Sequence, residues 1–430
     1  MVKKFQPPKG TRDFLPEEMI VRQKVLEIIR NIFETFGFQP VETPAIESWD
    51  VLSAKGAGGP EILKETYNFE DFGGRRIGLI YDLTVPLARI IASNPSTPLP
   101  FKRYQIQKVW RYGDIAKGRL REFLQADIDT VGSNSMLADA EIIACIISVF
   151  VALGFEKFLL RLNNRKVLAD LVKYAGIDES KVLDVFRSID KLDKIGVRGV
   201  ERELLEKNIT KESIKKILDF IQIQGTPDFT LKKAEKLIGN IEGISELKQL
   251  SSYLKKMGIE SKIKIDFSLA RGLDYYTGPI FEVFAEEGIG SLAGGGRYDK
   301  MIGLFLSRDI PATGISLGIE RIIEVMKDRK MIKRSKSKVK VFVAAVNDSV
   351  RENVLEIIQQ LRKNNIQSDF DLKIRNLTRQ LEYADSLGIP YTVIVGKKEL
   401  DKGIVKIRDM RQRKETEVKT TELMELLKRI

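Results

Sequence analysis

The first regular pattern in the chain is a helical one. Between residues 17 and 36, apolar and charged side chains recur at helical spacing, with Pro16 where a helix can begin and Gly37 where it can end. The segment predicts a long amphipathic helix. The longest apolar run, residues 142–155, is shorter than the ~20 residues that a membrane span needs. That run predicts a buried helix, and we expect no membrane partner.

Strand patterns follow the first helix. Pro40 and Pro44 flank Val41, which predicts an edge strand at that point. Three longer runs interleave apolar and polar side chains, namely residues 76–81, 102–112 and 122–131. This pattern predicts an antiparallel sheet.

The residue composition and pattern of the chain change at about residue 166. Residues 166–256 contain repeated helical segments rich in Lys, Glu, Leu and Ile, which predict an all-helical module. The next segment, RGLDYYTGPIFEVF at 271–284, places polar side chains and two glycines before an apolar run. It predicts a strand near Ile280 to Phe284 with polar groups at its rim. By itself the segment fits two interpretations equally well: a functional site, or a core strand that carries polar side chains at its end.

The last part of the chain has a different alternation. Residues 327–338, KDRKMIKRSKSK, form a short basic segment that predicts a solvated linker. Strand and helix patterns then alternate, with strands predicted at 339–346, 366–370 and 391–395 and helices at 350–364 and 378–387. Such alternation is typical of a small α/β domain with a largely parallel sheet.

Composition narrows the possible chemistry. The 430 residues include no histidine, which excludes a Ser-His-Asp triad, an imidazole general base and an imidazole-ligated metal centre. The single cysteine, Cys145, excludes a disulfide within the chain and fits a reducing compartment, so we expect a cytoplasmic location. The net charge of +12 and the pI of about 9.4 fit a polyanionic partner. Catalysis would depend on carboxylates, lysine, hydroxyls, the thiol or the charge of arginine.

Three motifs indicate the class of protein. Residues 110–129, WRYGDIAKGRLREFLQADID, predict a strand, a basic loop and a return strand, and they resemble motif 2 of class II aminoacyl-tRNA synthetases. Residues 314–321 resemble motif 3, which ends in an arginine on a helix, and Pro44 matches the proline of motif 1. The resemblance implies an α/β chain whose α+β catalytic domain has an antiparallel sheet flanked by helices.

Further segments resemble one family of that class, the histidyl-tRNA synthetases. They are QPPKGTRDFLP at 6–16, YDLTVPLAR at 81–89, RGLDYYTG at 271–278 and AGGGRYD at 293–299. The YDLT version resembles the archaeal and eukaryotic branch of the family. Residues 376–396 are similar to the family's C-terminal anticodon-binding domain, so the resemblance covers nearly the whole chain.

The family resemblance implies an activity and partners. We expect a histidine–tRNA ligase that binds L-histidine, ATP and histidine tRNA, uses ATP with Mg²⁺, holds no metal of its own and works as a homodimer. The implied division is a catalytic domain at 1–165 and 257–326, a helical insertion at 166–256, a linker at 327–338 and an anticodon-binding α/β domain at 339–430.

Three arginines match the positions where the family binds phosphate and carboxylate. Activation brings the carboxylate of the amino acid against the α-phosphate of ATP, and arginine can hold both anions at once. The resemblance implies that Arg111 holds the α-phosphate, Arg321 the ATP tail, and Arg271 the attacking carboxylate and the α-phosphate. A surface arginine is usually solvated, which is the simpler interpretation for each one taken alone.

The resemblance also implies the residues that select histidine. Asp82 and Thr84 would bind the amino group with Gln125 nearby, and a second set would line the imidazole end, namely Asp129, Tyr276 and Tyr298. Many bacterial members carry Glu where this chain has Asp82 and Asp129, so the reach of these carboxylates differs. Tyr275, Tyr276 and Tyr298 could also be core aromatics. For Tyr275 that interpretation is at least as good as a role in the site.

Two features keep two interpretations each. The glycines of SLAGGGRY at 291–298 could form a tight turn between strands. Alternatively, they could let the backbone approach the adenylate closely, which a Cβ would block. We favour the second interpretation, because Arg297 and Tyr298 follow directly. In the loop at 112–120, Lys117 and Arg119 are expected at the tRNA acceptor end, and Arg119 is also a candidate contact of the ATP γ-phosphate.

Two other functions remain as alternatives. A synthetase-like regulatory subunit of a histidine-biosynthetic phosphoribosyltransferase would keep the fold, but such relatives typically lack the anticodon-binding domain and lose active-site residues. A nucleic-acid-binding module without catalysis would fit the net charge, but it leaves the carboxylates and tyrosines unexplained.

Overall fold

The computed structural model describes residues 5–54, 59–270, 275–285, 290–332 and 335–429, with residues 59–61 described through the backbone alone. The chain divides into two compact units, the first made of residues 1–12 and 25–331 and the second of residues 13–24 and 332–430. Within the described residues, every helix is too short or too polar to cross a membrane.

The strands of the first unit are β1 Gln39–Pro40, β2 Ile46–Ser48, β3 Asn68–Glu70, β4 Arg76–Leu79, β5 Phe101–Trp110, β6 Glu122–Val131, β7 Leu159–Asn164, β8 Ile263–Ile265, β9 Pro279–Phe284, β10 Ala293–Arg297 and β11 Ala312–Gly318. The helices up to residue 328 are α1 Pro16–Thr35, α2 Trp49–Leu52, α3 Gly59–Lys64, α4 Thr84–Ser93, α5 Met136–Ala152, α6 Arg165–Tyr174, α7 Val182–Ile189, α8 Leu192–Glu206, α9 Lys211–Ile221, α10 Pro227–Ile238, α11 Glu242–Lys256 and α12 Ile319–Asp328.

The main sheet has the strand order β1-β5-β6-β11-β10-β9-β7-β8. From β5 to β7 every neighbouring pair is antiparallel, and only the edge strands β1 and β8 pair in parallel. The predicted antiparallel sheet is therefore confirmed, with the short strand β1 at its edge. The run predicted as a strand at 76–81 ends earlier, at Leu79, and lies in a separate three-stranded sheet of order β2-β4-β3.

Two helical predictions are also confirmed. Helix α1 follows the predicted amphipathic segment, and α5 contains most of the long apolar run, where Cys145 is fully buried. The Ser135 side chain caps α5 by accepting a hydrogen bond from the Leu137 backbone N–H. Burial raises the pKa of the Cys145 thiol, so this cysteine is an inert core residue.

Helices α6 to α11 fill the segment that the sequence predicted as a helical module. Each buries an apolar side, for example Ile214 and Ile217 of α9, and Phe220 of the same helix packs against Phe267 with ring centroids 4.7 Å apart. Helix α8 is interrupted at Gly196, whose positive φ of 67° favours glycine. The predicted boundaries of the module as a domain stay a prediction.

The second unit contains β12 Val341–Ala345, α13 Arg351–Lys363, β13 Ser368–Phe370, α14 Leu377–Ser386, β14 Tyr391–Val395, α15 Lys397–Leu400, β15 Ile404–Asp409, β16 Lys414–Lys419 and α16 Leu423–Arg429. Its sheet has the order β13-β12-β14-β15-β16. The first three strands are parallel, as expected, and β15 and β16 add an antiparallel pair that the sequence pattern did not predict.

Candidate active site

Two cavities lie side by side on the main sheet. The first has a volume of about 120 Å³ and the second about 270 Å³, and Arg111, Gly294 and Ser316 line both. All six predicted histidine-site residues line the first cavity, namely Asp82, Thr84, Gln125, Asp129, Tyr276 and Tyr298. The predicted ATP ligands Arg119 and Arg321 line the second. Arg271 lies outside the described residues.

Strand β6 places three polar side chains on one face. Gln125, Asp127 and Asp129 are two residues apart, so their side chains point to the same side of the sheet. All three are buried and line the first cavity. Burial raises the pKa of Asp127 to about 7, against the lowering effect of Arg103.

Asp127 was missed by the sequence prediction. The signal that could have found it is the two-residue period of β6, since Gln125 and Asp129 had both been assigned to the site and Asp127 lies between them. Its neighbour across the sheet, Ser316 of β11, was missed as well. The Ser316 hydroxyl accepts a hydrogen bond of 2.6 Å from the Gln125 side chain.

A buried ion pair supports Asp129. Arg103 of β5 lies opposite Asp129 in the strand pairing and is fully buried. Its Nη2 is 2.8 Å from Asp129 Oδ2 and also donates a 2.9 Å hydrogen bond to the Leu83 carbonyl. The Tyr298 hydroxyl donates to the other carboxylate oxygen, Asp129 Oδ1. Asp129 therefore links the sheet to Tyr298.

Asp82 lies at the start of helix α4. Its Oδ1 accepts a 3.1 Å hydrogen bond from the Val85 N–H, while Oδ2 is buried and has no hydrogen-bond partner among the described residues. Burial raises the pKa of Asp82 to about 6, although the Val85 N–H and the charge of Arg111 oppose the rise. This carboxylate is thus positioned by the helix and still able to bind a cationic group.

Three tyrosines form one wall of the first cavity. The ring centroids of Tyr275 and Tyr276 are 4.8 Å apart, and those of Tyr275 and Tyr298 are 5.8 Å apart. Burial raises the pKa of each hydroxyl, so all three are neutral hydrogen-bond donors near neutral pH. Tyr275 both packs against the apolar core and lines the cavity, so its two interpretations are compatible.

The glycine tract is not a turn. Gly294, Gly295 and Gly296 lie inside strand β10, between β9 and β11, so the tight-turn interpretation is wrong. The adjacent Arg297 does not belong to the site either, because it is buried in an ion pair with Asp139 of α5. Of the three glycines, Gly294 lies at the junction of the two cavities.

The second cavity carries the arginines. The Arg111 Nε donates a 2.8 Å hydrogen bond to the Tyr81 carbonyl, and its guanidinium lies 5.4 Å from the centre of the Phe123 ring. Arg321, in the first turn of α12, donates a 2.8 Å hydrogen bond to the Ser291 carbonyl. Arg119 is exposed in the loop between β5 and β6.

Lys117 lines neither cavity. Its ammonium is 2.7 Å and 2.9 Å from the two oxygens of Asp328 at the end of α12, and its side chain is exposed. Among the described residues, no group of three or more Asp, Glu or Cys side chains is placed to hold a metal ion.

An antiparallel sheet that carries arginines at the end of β5 and at the start of α12 is the catalytic architecture of a class II aminoacyl-tRNA synthetase. The model of the family described as Histidyl-tRNA synthetase matches residues 10–322, and that described as Anticodon binding domain matches residues 340–430. The chain belongs to the histidyl-tRNA synthetase family. The family and the enzyme class predicted from the motifs are thus confirmed, while the branch within the family stays a prediction.

Individual relatives agree with the family model. The chain is 42% identical to the histidine–tRNA ligase of Aeropyrum pernix, over 93% of this chain and 92% of that one. It is 39% identical to the histidine–tRNA ligase of Thermococcus kodakarensis, with 94% and 93% covered. The crystal structure of histidyl-tRNA synthetase from Nostoc sp. PCC 7120 superposes with a TM-score of 0.89 at 33% identity, covering 99% of each chain. Because an anticodon-binding domain is present, the regulatory-subunit alternative is not favoured.

Proposed function

We propose that the chain activates L-histidine with ATP, giving histidyl-adenylate and pyrophosphate, and then transfers histidine to the 3′ end of its tRNA. The observation that carries this proposal is the pair of adjoining cavities, one lined by carboxylates and tyrosines and the other by arginines. The histidine carboxylate would meet the α-phosphate where the cavities join, at Arg111 and Gly294.

The arginines supply the cationic environment of the reaction. Arg111 would hold the α-phosphate, Arg321 the ATP tail, and Arg119 the γ-phosphate, with Mg²⁺ entering bound to ATP. Arg271, by family resemblance, would hold the attacking carboxylate. The nucleophile is already ionised, so no general base is needed, which suits a chain without histidine.

The first cavity would bind histidine. Asp82 and Thr84 would bind the ammonium group with Gln125 nearby, and the imidazole would lie against Asp129, Tyr276 and Tyr298. A site with buried polar groups rejects an analogue that lacks the matching group by as much as ~10⁴- to 10⁵-fold, because its own groups are left unpaired. This cavity has that character, since its carboxylates and tyrosine hydroxyls are buried.

Binding of tRNA completes the proposed function. Lys117 and Arg119 would contact the acceptor end, the helices of 166–256 the acceptor stem, and the domain at 339–430 the anticodon. The proposal includes a homodimer, which sedimentation velocity tests, and a cytoplasmic location, which the single buried cysteine supports.

One assay separates this function from the alternatives. Histidine-dependent exchange of pyrophosphate into ATP, followed by charging of histidine tRNA, is expected from the purified chain. A regulatory subunit would show neither reaction. A nucleic-acid-binding module would bind tRNA without supporting exchange, and either result would overturn the proposal.

A further inference from the structure

Asp127 is a buried carboxylate with an incomplete set of contacts. It is 3% exposed and lines the first cavity from strand β6, between Gln125 and Asp129. Its charge interacts with those of Arg103, Asp129 and Asp82. Asp127 Oδ1 has no hydrogen-bond partner among the described residues. A buried acceptor left in this state is costly unless a ligand supplies a donor.

The neighbouring carboxylate, Asp129, is in the opposite situation. Its Oδ1 receives the Tyr298 hydroxyl, and its Oδ2 forms an ion pair of 2.8 Å with Arg103, although not an aligned hydrogen bond. Asp129 thus has a partner at each oxygen before any ligand enters. It holds Tyr298 in place on the wall of the cavity.

The imidazole ring of the proposed substrate needs both a hydrogen-bond donor and a hydrogen-bond acceptor. A neutral imidazole ring carries one N–H donor and one nitrogen acceptor. The buried hydroxyl of Tyr276 is neutral and can donate. Burial raises its pKa most, and the charges of Asp129 and Asp127 raise the pKa further, so both carboxylates lie near this hydroxyl. What the ring end still requires is an acceptor for the ring N–H.

We infer that Asp127 is a specificity-determining residue of the histidine site, accepting the imidazole N–H through Oδ1, and that Asp129 is a positioning residue acting through Tyr298. The inference rests on the proposed function, since it assigns roles within the proposed histidine site. It reverses the emphasis of the family resemblance, in which Asp129 was the carboxylate at the ring.

The test compares three ligands on the wild type and on Asp127→Asn. The ligands are L-histidine, β-(2-thienyl)alanine, which has no ring N–H, and imidazolyl-lactate, which has a hydroxyl group in place of the ammonium. Dissociation constants are measured calorimetrically on the full chain. We expect Asp127→Asn to weaken histidine and imidazolyl-lactate about 10- to 100-fold, as for loss of a charged hydrogen bond, and to leave thienylalanine within about twofold.

Other outcomes overturn the assignment. An equal loss for histidine and thienylalanine, with none for imidazolyl-lactate, would place Asp127 at the ammonium group. An unchanged affinity for histidine would remove Asp127 from the site. Thr130→Val is the matched control, because Thr130 is buried on the opposite face of β6, and it should bind all three ligands as the wild type does. If the wild type neither binds histidine nor supports exchange, the proposed function itself fails.

A double-mutant cycle tests the role of Asp129. If Asp129 acts through Tyr298, then Asp129→Asn should lower histidine affinity in the wild type but have little further effect in Tyr298→Phe, because the hydroxyl it holds is already absent. Additive losses would show that Asp129 contacts the substrate independently and would overturn the positioning role. Unfolding midpoints of all variants, followed by circular dichroism, confirm that each one is folded.

Discussion

Gly314 lies directly opposite Asp129 in the pairing of β11 with β6, and a Cβ atom added at Gly314 would be 1.9 Å from Asp129 Oδ1. The same atom would be 2.7 Å from the Ile128 carbonyl, which cannot move without disturbing β6. The position of the carboxylate therefore depends on the absence of a side chain on the next strand.

Alanine substitutions at Gly314 and Gly294 should have different effects on stability and on activity. Gly314→Ala should destabilise the protein by about 1–3 kcal/mol, the usual range for overpacking, and should displace Asp129. Gly294→Ala should fold normally, since no atom of the described residues would be closer than 3.5 Å to its Cβ. The added methyl would nevertheless stand where the two cavities join, so pyrophosphate exchange should fall sharply. Unfolding midpoints and exchange rates measured together check both expectations; full exchange by Gly294→Ala would contradict the proposed junction.

We expect replacement of Arg111 by lysine to lower the exchange activity even though the positive charge is kept. Arg111→Lys keeps a cation at the cavity but loses the Nε hydrogen bond to the Tyr81 carbonyl and the planar fork that can hold two anions. We expect kcat for histidine-dependent exchange to fall by about 10²–10³, as when one donor to a developing charge is removed. Arg75→Lys is the control, since Arg75 is an exposed partner of Asp71 away from both cavities. Equal effects in the two variants would remove the special role of Arg111.

The raised pKa of Asp82 predicts that kcat/KM for histidine depends on pH. Burial raises its pKa to about 6, so the carboxylate is ionised above that pH and protonated below it. Only the ionised form attracts the substrate ammonium. The kcat/KM for histidine, which reports the free enzyme, should therefore decline as the pH falls through about 6. Asp82→Asn should be less active and should lack the part of this decline that the Asp82 carboxylate causes.

The substrate complicates that measurement, because the imidazole of free histidine titrates in the same range. Dividing the wild-type kcat/KM by that of Asp82→Asn at each pH cancels the substrate's own ionisation. The ratio should decrease toward low pH. A constant ratio from about pH 5 to about pH 8 would mean that Asp82 does not bind the ammonium group as a carboxylate.

Strands with a strong apolar pattern were predictable, and polar ones were not. The run at 122–131 was predicted with the bounds that β6 has, because its apolar and polar positions alternate clearly. Strand β16, KETEVK, has almost no buried side chain, so no hydrophobic signal marks it. The order of strands in the main sheet also escapes sequence patterns, since β6 pairs with β11, nearly two hundred residues further along the chain.

The site shows a similar division. Family motifs located Asp82, Gln125, Asp129, Tyr276 and Tyr298, all of which the fold brings to one cavity. The two-residue period of β6 could have revealed Asp127, but no motif could reveal the support of Asp129 by Arg103, because that contact depends on the register of β5 against β6. A fully buried arginine is also an unexpected feature, since composition rules place arginines at the surface.

Lys117 predicts how tRNA binding responds to salt. Its side chain is 66% exposed, and its partner Asp328 is 45% exposed, so their ion pair contributes little to stability and can be exchanged for a phosphate. If Lys117 contacts the acceptor end, Lys117→Gln should reduce the slope of log affinity against log salt by about 1. Exchange of pyrophosphate, which needs no tRNA, should be unchanged. Filter binding of histidine tRNA over a range of salt concentrations gives the slope.

Asp328→Asn is the matched control for this prediction. It removes the carboxylate that competes with phosphate for Lys117, so tRNA affinity should rise slightly while the salt slope stays at or above the wild-type value. The two substitutions therefore act in opposite directions on the same ion pair. A wild-type slope in Lys117→Gln would show that the lysine makes no phosphate contact, and weaker tRNA binding in Asp328→Asn would indicate that the ion pair itself orders the loop.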